Sequence, residues 1–202
     1  MARLESSFKN MLLTLLGITF LSSAGVGYVY EITKGPKAET ERKRQIAAIQ
    51  AVLPRFSNNP LQEKYAVPTE AGDLIFYPAE KDGEPVGTAV ETFTDQGFGG
   101  RIRLMVGFLP GGNINDIAVL EHTETPGLGD KIERKKSNFI NQFAGQNPEQ
   151  FDLRVNKDGG DVDGITAATV SSRAFCEAVQ RAVEAMNAKD KNIKPIIVEV
   201  ES

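Results

Sequence analysis

The chain has 202 residues, of which 25% are charged and 41% are hydrophobic, a composition typical of one globular domain with a short additional segment. The formal net charge is -4, and the basic residues form no stripe interleaved with aromatic residues, which argues against nucleic acid as a partner. Cys176 is the single cysteine and His122 the single histidine, so the sequence predicts no internal disulfide and no metal site. A redox role would therefore require a bound organic cofactor.

After a short tail at 1–9, residues 10–30 contain no charged side chain and are long enough, as a helix of about 30 Å, to cross a bilayer. We predict a single transmembrane anchor over 10–31, in contact with lipid. A cleaved signal peptide is the alternative, because the densest apolar stretch covers only 11–21 and small residues follow it. More basic residues follow the span than precede it, but a long folded domain weakens the positive-inside rule, so the sequence leaves the side of the membrane open.

The region at 32–70 is predicted to be a helical linker, with a helix over 38–53 that follows a breaker at 34–36. The domain at 71–202 begins with β-rich runs separated by turn signals, which predict an antiparallel meander. Further expected elements are a helical patch, two short strands, an amphipathic helix and a terminal strand. The strands are expected at 74–77, 86–94, 102–108, 114–121, 151–155, 162–166 and 195–200, and the helices at 132–143 and 171–187. The fold class is α+β, a mixed or mostly antiparallel sheet with flanking helices.

The segment DGITAATVSS at 163–172 joins a predicted strand to a predicted helix through small and hydroxyl-bearing side chains. Free N–H groups and the positive end of the dipole make a helix N-terminus suitable for binding a phosphate. On the residues alone, N-capping is the favoured interpretation of these hydroxyl groups. The phosphate-binding candidates are Thr166, Ala168, Thr169, Ser171 and Ser172.

This segment resembles the flavinylation motif of the FMN-binding domain family, Asp-x-x-Ser/Thr-Gly/Ala-Ala-Thr-x-Ser/Thr. The resemblance implies that Thr169 is esterified to the phosphate of FMN, which would be held covalently. Ala167 stands where the family commonly has glycine.

A second segment, ETPGLG at 124–129, resembles another element of the same family, and GFGG at 97–100 resembles its glycine-rich strand entry. On the residues alone, Pro126-Gly127 predicts a type II turn and Glu124 a solvated carboxylate. Beside a flavin, the same turn would present a side chain and backbone amides toward the ring. The candidate ring contacts are Glu124, Thr125, Gly127 and Leu128.

With the apolar N-terminus, the three elements are most similar to the G subunits of Rnf complexes within this family. The resemblance implies an electron-transfer subunit, with no catalytic side chain of its own, in a ferredoxin:NAD oxidoreductase that translocates ions across the bacterial inner membrane. It further implies other membrane subunits as partners, a flavin transferase for maturation and a periplasmic domain. The alternatives are the C subunit of a sodium-translocating NADH:quinone reductase, a free-standing membrane-anchored FMN reductase and a tethered binding domain without catalysis.

Overall fold

The computed structural model describes residues 8–189 and a last strand, Ile196–Ile197. The chain divides into two compact units, the first ending at Arg44 and the second beginning at Gln45. Helix α1, Phe8–Val52, supplies the described part of the first unit and the first residues of the second.

The apolar helix expected near the N-terminus is confirmed as the first part of α1. It is the one helix in the described ranges that is long and apolar enough to cross a membrane, with a mean hydropathy of 1.7 over its most apolar window. Its large apolar side chains are exposed, and the hydroxyl groups of Thr14 and Thr33 donate to carbonyl groups one turn earlier. The predicted breaker at 34–36 is wrong: α1 continues through Pro36, and a proline inside a helix can kink it without ending it.

The second unit contains a six-stranded sheet with the strand order β5-β4-β3-β2-β1-β6. Neighbouring strands pair antiparallel throughout, and the first five follow each other along the chain, which confirms the predicted meander. The strands are β1 Tyr65–Thr69, β2 Gly72–Lys81, β3 Glu84–Thr94, β4 Ile102–Phe108, β5 Ile114–Glu121 and β6 Ile196–Ile197.

Three local predictions differ from the structure. Strand β1 lies at the end of the region at 32–70 that is predicted to be a helical linker. The predicted strands at 151–155 and 162–166 are wrong, since these segments share only one isolated parallel bridge, between Val155 and Val162. The helical patch at 132–143 consists of short 3-10 helices, Gly129–Ile132 and Phe139–Phe143. The terminal strand is confirmed at Ile196–Ile197, and the rest of 195–200 lies outside the described residues.

Each face of the sheet is covered by its own apolar cluster. Helix α2, Thr169–Lys189, packs with the 3-10 helices against one face, where Phe76, Leu104 and Phe175 are fully buried. The end of α1 packs against the other face, where Val52 and Met105 are fully buried. The result is a three-layer α+β domain in which helical segments cover both faces of the sheet.

The end of α1 comes so close to β4 that only glycine fits there. A Cβ atom on Gly107 would overlap the carbonyl oxygen of Val52. Asn115 on β5 donates to the same carbonyl oxygen at 2.8 Å, which satisfies an acceptor left free at the helix C-terminus. These contacts fix where the chain enters the domain, on the face opposite α2.

Candidate functional site

Helix α2 begins at Thr169, the predicted attachment residue, and its first turn opens onto a cavity. In the part of the chain that the structure describes, no protein atom accepts a hydrogen bond from the amides of Thr169, Val170 or Ser171, whereas the amide of Ser172 donates to the carbonyl of Ala168. Thr169 itself is half-buried. The first turn of α2 therefore presents three backbone donors and a hydroxyl group at one place.

The turn that leads into α2 is held in an unusual conformation. Ala167 has a φ of 63°, in the left-handed region that glycine adopts at little cost. The buried hydroxyl of Ser172 accepts from the amide of Ile165 at 2.9 Å and donates to the carbonyl of Ala168 at 2.9 Å. Ser172 thus shapes the turn from inside, and this turn places the Thr169 side chain at the mouth of the cavity.

Glu124 is a buried carboxylate that joins two parts of the site. It is only 4% exposed, so the interpretation of a solvated loop carboxylate is wrong. One carboxylate oxygen accepts from the amide of Gly99 at 2.9 Å, and the other accepts from the hydroxyl of Ser171. Glu124 therefore ties the glycine-rich loop at 97–100 to the first turn of α2.

The backbone packs tightly around this carboxylate. A Cβ atom on Gly129 would overlap both Glu124 and Ser171, and one on Gly97 would lie 2.6 Å from the carboxylate of Glu124. A Cβ atom on Gly99 would overlap the carbonyl oxygen of Thr123. Gly97, Gly99 and Gly129 are thus explained by close approach to Glu124 and its neighbours.

His122 supports Glu124 from the protein side. Its Nδ1 accepts a hydrogen bond from the amide of Glu124 at 3.1 Å, so Nδ1 carries no proton. Nε2 lies 2.8 Å from a carboxylate oxygen of Glu133 and donates to it. The ring is therefore a structural brace between two segments.

The predicted turn at 125–128 is present. Gly127 has a φ of 79°, and the amide of Leu128 donates to the carbonyl of Thr125 at 3.2 Å, as in a type II turn with glycine in its third position. Leu128 is 43% exposed. The turn presents the Leu128 side chain to the cavity.

The cavity beside Thr169 has a volume of about 350 Å³, at the small end of the range for ligand pockets. Its rim carries three apolar side chains that are exposed to an unusual degree, Phe98 at 71%, Leu128 at 43% and Val170 at 46%. Its remaining lining residues are Glu124, Thr125, Gly129, Ala167, Ala168, Thr169 and Ser171. The cavity is therefore amphipathic, with polar donors at the helix end and apolar side chains around the opening.

The structure adds a residue that the sequence did not indicate. The ammonium group of Lys157 lies 3.3 Å from the hydroxyl oxygen of Thr169 and donates a hydrogen bond to it. Lys157 belongs to a short 3-10 helix, Asn156–Asp158, in a loop between two predicted strands. Nothing in the residue pattern places this loop beside the helix, because the approach depends on how the segment at 151–163 folds back on itself.

Several contacts hold Lys157 and the motif segment in place. Two guanidinium nitrogens of Arg173 on α2, Nε and Nη2, donate to the carboxylate of Asp158 at 2.6 Å. These hydrogen bonds hold the pKa of that carboxyl below its ordinary value. Asn156 donates to the carboxylate of Asp163 at 2.8 Å, and Gln142 pairs with the amide and the carbonyl of Asp163. The loop that carries Lys157 is thus fastened at both ends to the α2 region.

Most of the predicted site residues meet at this cavity. Six of the nine line it: Glu124, Thr125, Leu128, Ala168, Thr169 and Ser171. Of the other three, Gly127 supplies the left-handed position of the turn, Ser172 is bonded inside the protein, and Thr166 is exposed on the loop before α2. Phe98 and Val170 line the cavity but were not predicted as individual site residues, and neither was Lys157.

Comparison with known proteins agrees with this geometry. The model of the FMN-binding domain family matches residues 97–184, a range that spans both halves of the cavity. The G subunit of the ion-translocating oxidoreductase complex of Vibrio cholerae is 36% identical over 176 residues, which cover 83% of this chain and 84% of the relative. The G subunits of the same name from Shewanella amazonensis and Salmonella typhi are 36% and 39% identical and cover 88% and 76% of this chain, and 86% and 79% of the relatives. The chain therefore belongs to the family of G subunits of ion-translocating oxidoreductase complexes.

Proposed function

We propose that this chain carries FMN covalently on Thr169, through a phosphoester, and transfers electrons as one subunit of an Rnf-type ferredoxin:NAD oxidoreductase complex that translocates ions. The single observation that carries the proposal is the position of Thr169: its hydroxyl lies at the N-terminus of α2, beside a cavity and three amides that have no acceptor among the described residues. Family membership and the match to the FMN-binding domain support FMN as the group attached at this position.

The residues at the cavity fit both ends of FMN. A phosphate on Thr169 would face the amide donors of Val170 and Ser171 and the positive end of the α2 dipole. The flat apolar ring would have exposed apolar partners in Phe98, Leu128 and Val170, whose exposure is otherwise unfavourable.

When bound, FMN supplies one- and two-electron redox chemistry that belongs to its ring system. The protein supplies attachment, orientation and the local field. Glu124 and Ser171 keep the glycine-rich loop and the helix end at a fixed distance, so that both walls of the cavity stay in place. A covalent bond at Thr169 would keep the cofactor on the domain in either redox state, which suits a relay between other subunits.

The proposal includes the cellular setting that the resemblance implies. The apolar part of α1 would anchor the chain in the inner membrane by a single span, with the domain on the periplasmic side. The other membrane subunits of the complex would be its partners, and a flavin transferase would install the FMN. The relatives' name describes one subunit of an ion-translocating oxidoreductase complex, which is consistent with this assignment.

A direct experiment compares wild type with Thr169→Val and Thr40→Val after co-production with a flavin transferase. Thr40→Val is the control, because Thr40 is an exposed threonine on α1, outside the motif segment. We expect flavin fluorescence to stay with the denatured band of wild type and Thr40→Val and to be absent from Thr169→Val. Equal fluorescence in all three bands would overturn attachment at Thr169.

A further inference from the structure

We propose that Lys157 is a phosphate-binding residue of this site, which holds the phosphoryl group while it is attached to Thr169 and afterwards. The inference rests on the proposed function, because it concerns how that attachment is achieved. It adds a residue outside the flavinylation motif and outside the segment at 124–129.

The geometry of Lys157 carries the proposal. Its ammonium group already donates to the Thr169 hydroxyl at 3.3 Å, and an ammonium group has further N–H donors for oxygens bonded to the same phosphorus atom. The amides of Val170 and Ser171 follow Thr169 in the first turn of α2 and have no acceptor among the described residues. A phosphoryl group on Thr169 would thus be held by backbone donors from α2 and by a cation from the loop.

The neighbouring arginine has a different task. Arg173 uses two of its five N–H donors on the carboxylate of Asp158, the residue next to Lys157. This pair fastens the 3-10 helix that carries Lys157 to α2. In the described part of the chain, Lys157 is the cationic side chain whose hydrogen bond to Thr169 the structure shows.

The attachment step is a phosphoryl transfer with FAD as the donor. The oxygen of Thr169 forms a bond to the phosphorus atom on the riboflavin side of FAD, the phosphoanhydride bond breaks, and AMP leaves with the electron pair. The hydroxyl proton passes to a base of the transferase. Negative charge on the phosphoryl oxygens is stabilised by fixed donors and cations in such a step, and Lys157 is placed to supply one of them.

The test measures loading of the full-length chain in detergent with purified flavin transferase and FAD, followed by the mass of the peptide that contains Thr169. We expect Lys157→Gln to lower kcat for loading by about tenfold or more, as for a lost hydrogen bond from a charged donor, with little change in KM for the chain. Lys157→Arg should restore most of the rate, because it keeps the charge. Lys81→Gln, an exposed lysine on β2, is the control and should load like wild type.

Two results separate this inference from the proposed function. If wild type loads and Lys157→Gln loads at the same rate, or if only its KM rises, Lys157 does not hold the phosphoryl group and the inference is overturned. If wild type itself stays unmodified, the proposed function fails, and the inference fails with it. Fully loaded Lys157→Gln should also show a shifted phosphorus NMR signal relative to loaded wild type, and an unchanged signal would contradict a lasting contact.

Discussion

The carboxylate of Glu124 accepts a hydrogen bond from the hydroxyl of Ser171, a residue 47 positions later in the chain, and the two side chains are buried together. The second oxygen of the same carboxylate accepts from the amide of Gly99. One side chain therefore holds three segments together at the cavity: the glycine-rich loop, the turn at 125–128 and the first turn of α2.

This relationship predicts different effects for two substitutions of Glu124. Glu124→Ala leaves the Gly99 amide and the Ser171 hydroxyl buried without a partner, and we expect it to lower the free energy of unfolding by roughly 2 to 4 kcal/mol. Glu124→Gln can keep both hydrogen bonds, because its amide donates to Ser171, and should cost less than about 1 kcal/mol. Urea unfolding of the full chain in mild detergent measures both values; equal stabilities of the two variants would contradict the bridging role.

The left-handed backbone of Ala167 predicts a stabilising substitution. Ala167→Gly removes a steric conflict of about 1–2 kcal/mol at a φ of 63°, partly offset by the greater freedom of glycine in the unfolded chain. We expect a net gain of roughly 0.5 to 1 kcal/mol in the free energy of unfolding. The matched control is Ala168→Gly, the same change at the next position. Ala168 is buried, so this variant should be less stable than wild type. A destabilised Ala167→Gly variant would show that the turn is not strained.

The sequence contains enough information for the sheet and for most of the site, but not for every connection. Strands β2 to β5 follow from alternating patterns and turn signals. Strand β1 does not, because it lies in the region at 32–70 that is predicted to be a helical linker, and Pro68 is unfavourable within a strand. Local sequence patterns predict pairing between strands that follow each other along the chain. They do not predict where a short strand pairs with a distant segment.

The site likewise combines features that the local sequence predicts with features that depend on tertiary packing. The helix N-terminus at 169 and the turn at 125–128 are encoded locally, by small residues, hydroxyl groups and Pro-Gly. The burial of Glu124 and the approach of Lys157 to Thr169 depend on tertiary packing, so the residue pattern allowed a solvated carboxylate and gave no signal for the lysine. The predicted strands at 151–155 and 162–166 were wrong because Gly159, at a φ of 84°, turns the chain after a single bridge.

The ion pair between Asp158 and Arg173 predicts a coupled effect on loading. Asp158→Asn and Arg173→Gln each release the 3-10 helix that carries Lys157, and we expect each to slow flavin loading several-fold. The double variant should be no slower than the more severe single variant, since both changes break one interaction. The loading rates of wild type, the two single variants and the double variant form a double-mutant cycle. If the double variant is slowed by the product of the two single effects, the two residues do not act as a unit.

The buried thiol of Cys176 predicts a loss of stability in alkali. Burial raises the pKa of Cys176 to about 12 from an ordinary value of 9.0, so between these pH values the unfolded chain loses the thiol proton while the folded chain keeps it. Stability therefore falls as the pH rises, by about 1.4 kcal/mol per pH unit in this window. Cys176→Ala lacks this group, so between about pH 8 and about pH 10.5 wild type should lose roughly 2 kcal/mol more than the variant in urea unfolding. Parallel pH profiles would contradict the burial of a neutral thiol.

The central claim concerns one covalent bond, and the mass of one peptide tests it most directly. Trypsin releases residues 158–173 as a single peptide that contains Thr169, because Lys157 precedes it and Arg173 ends it. From denatured protein purified out of cells that also produce the transferase, we predict this peptide at its own mass plus that of FMN less one water, with fragmentation placing the addition on Thr169. The same peptide found only at its unmodified mass, or with the addition on Thr166, would contradict the account.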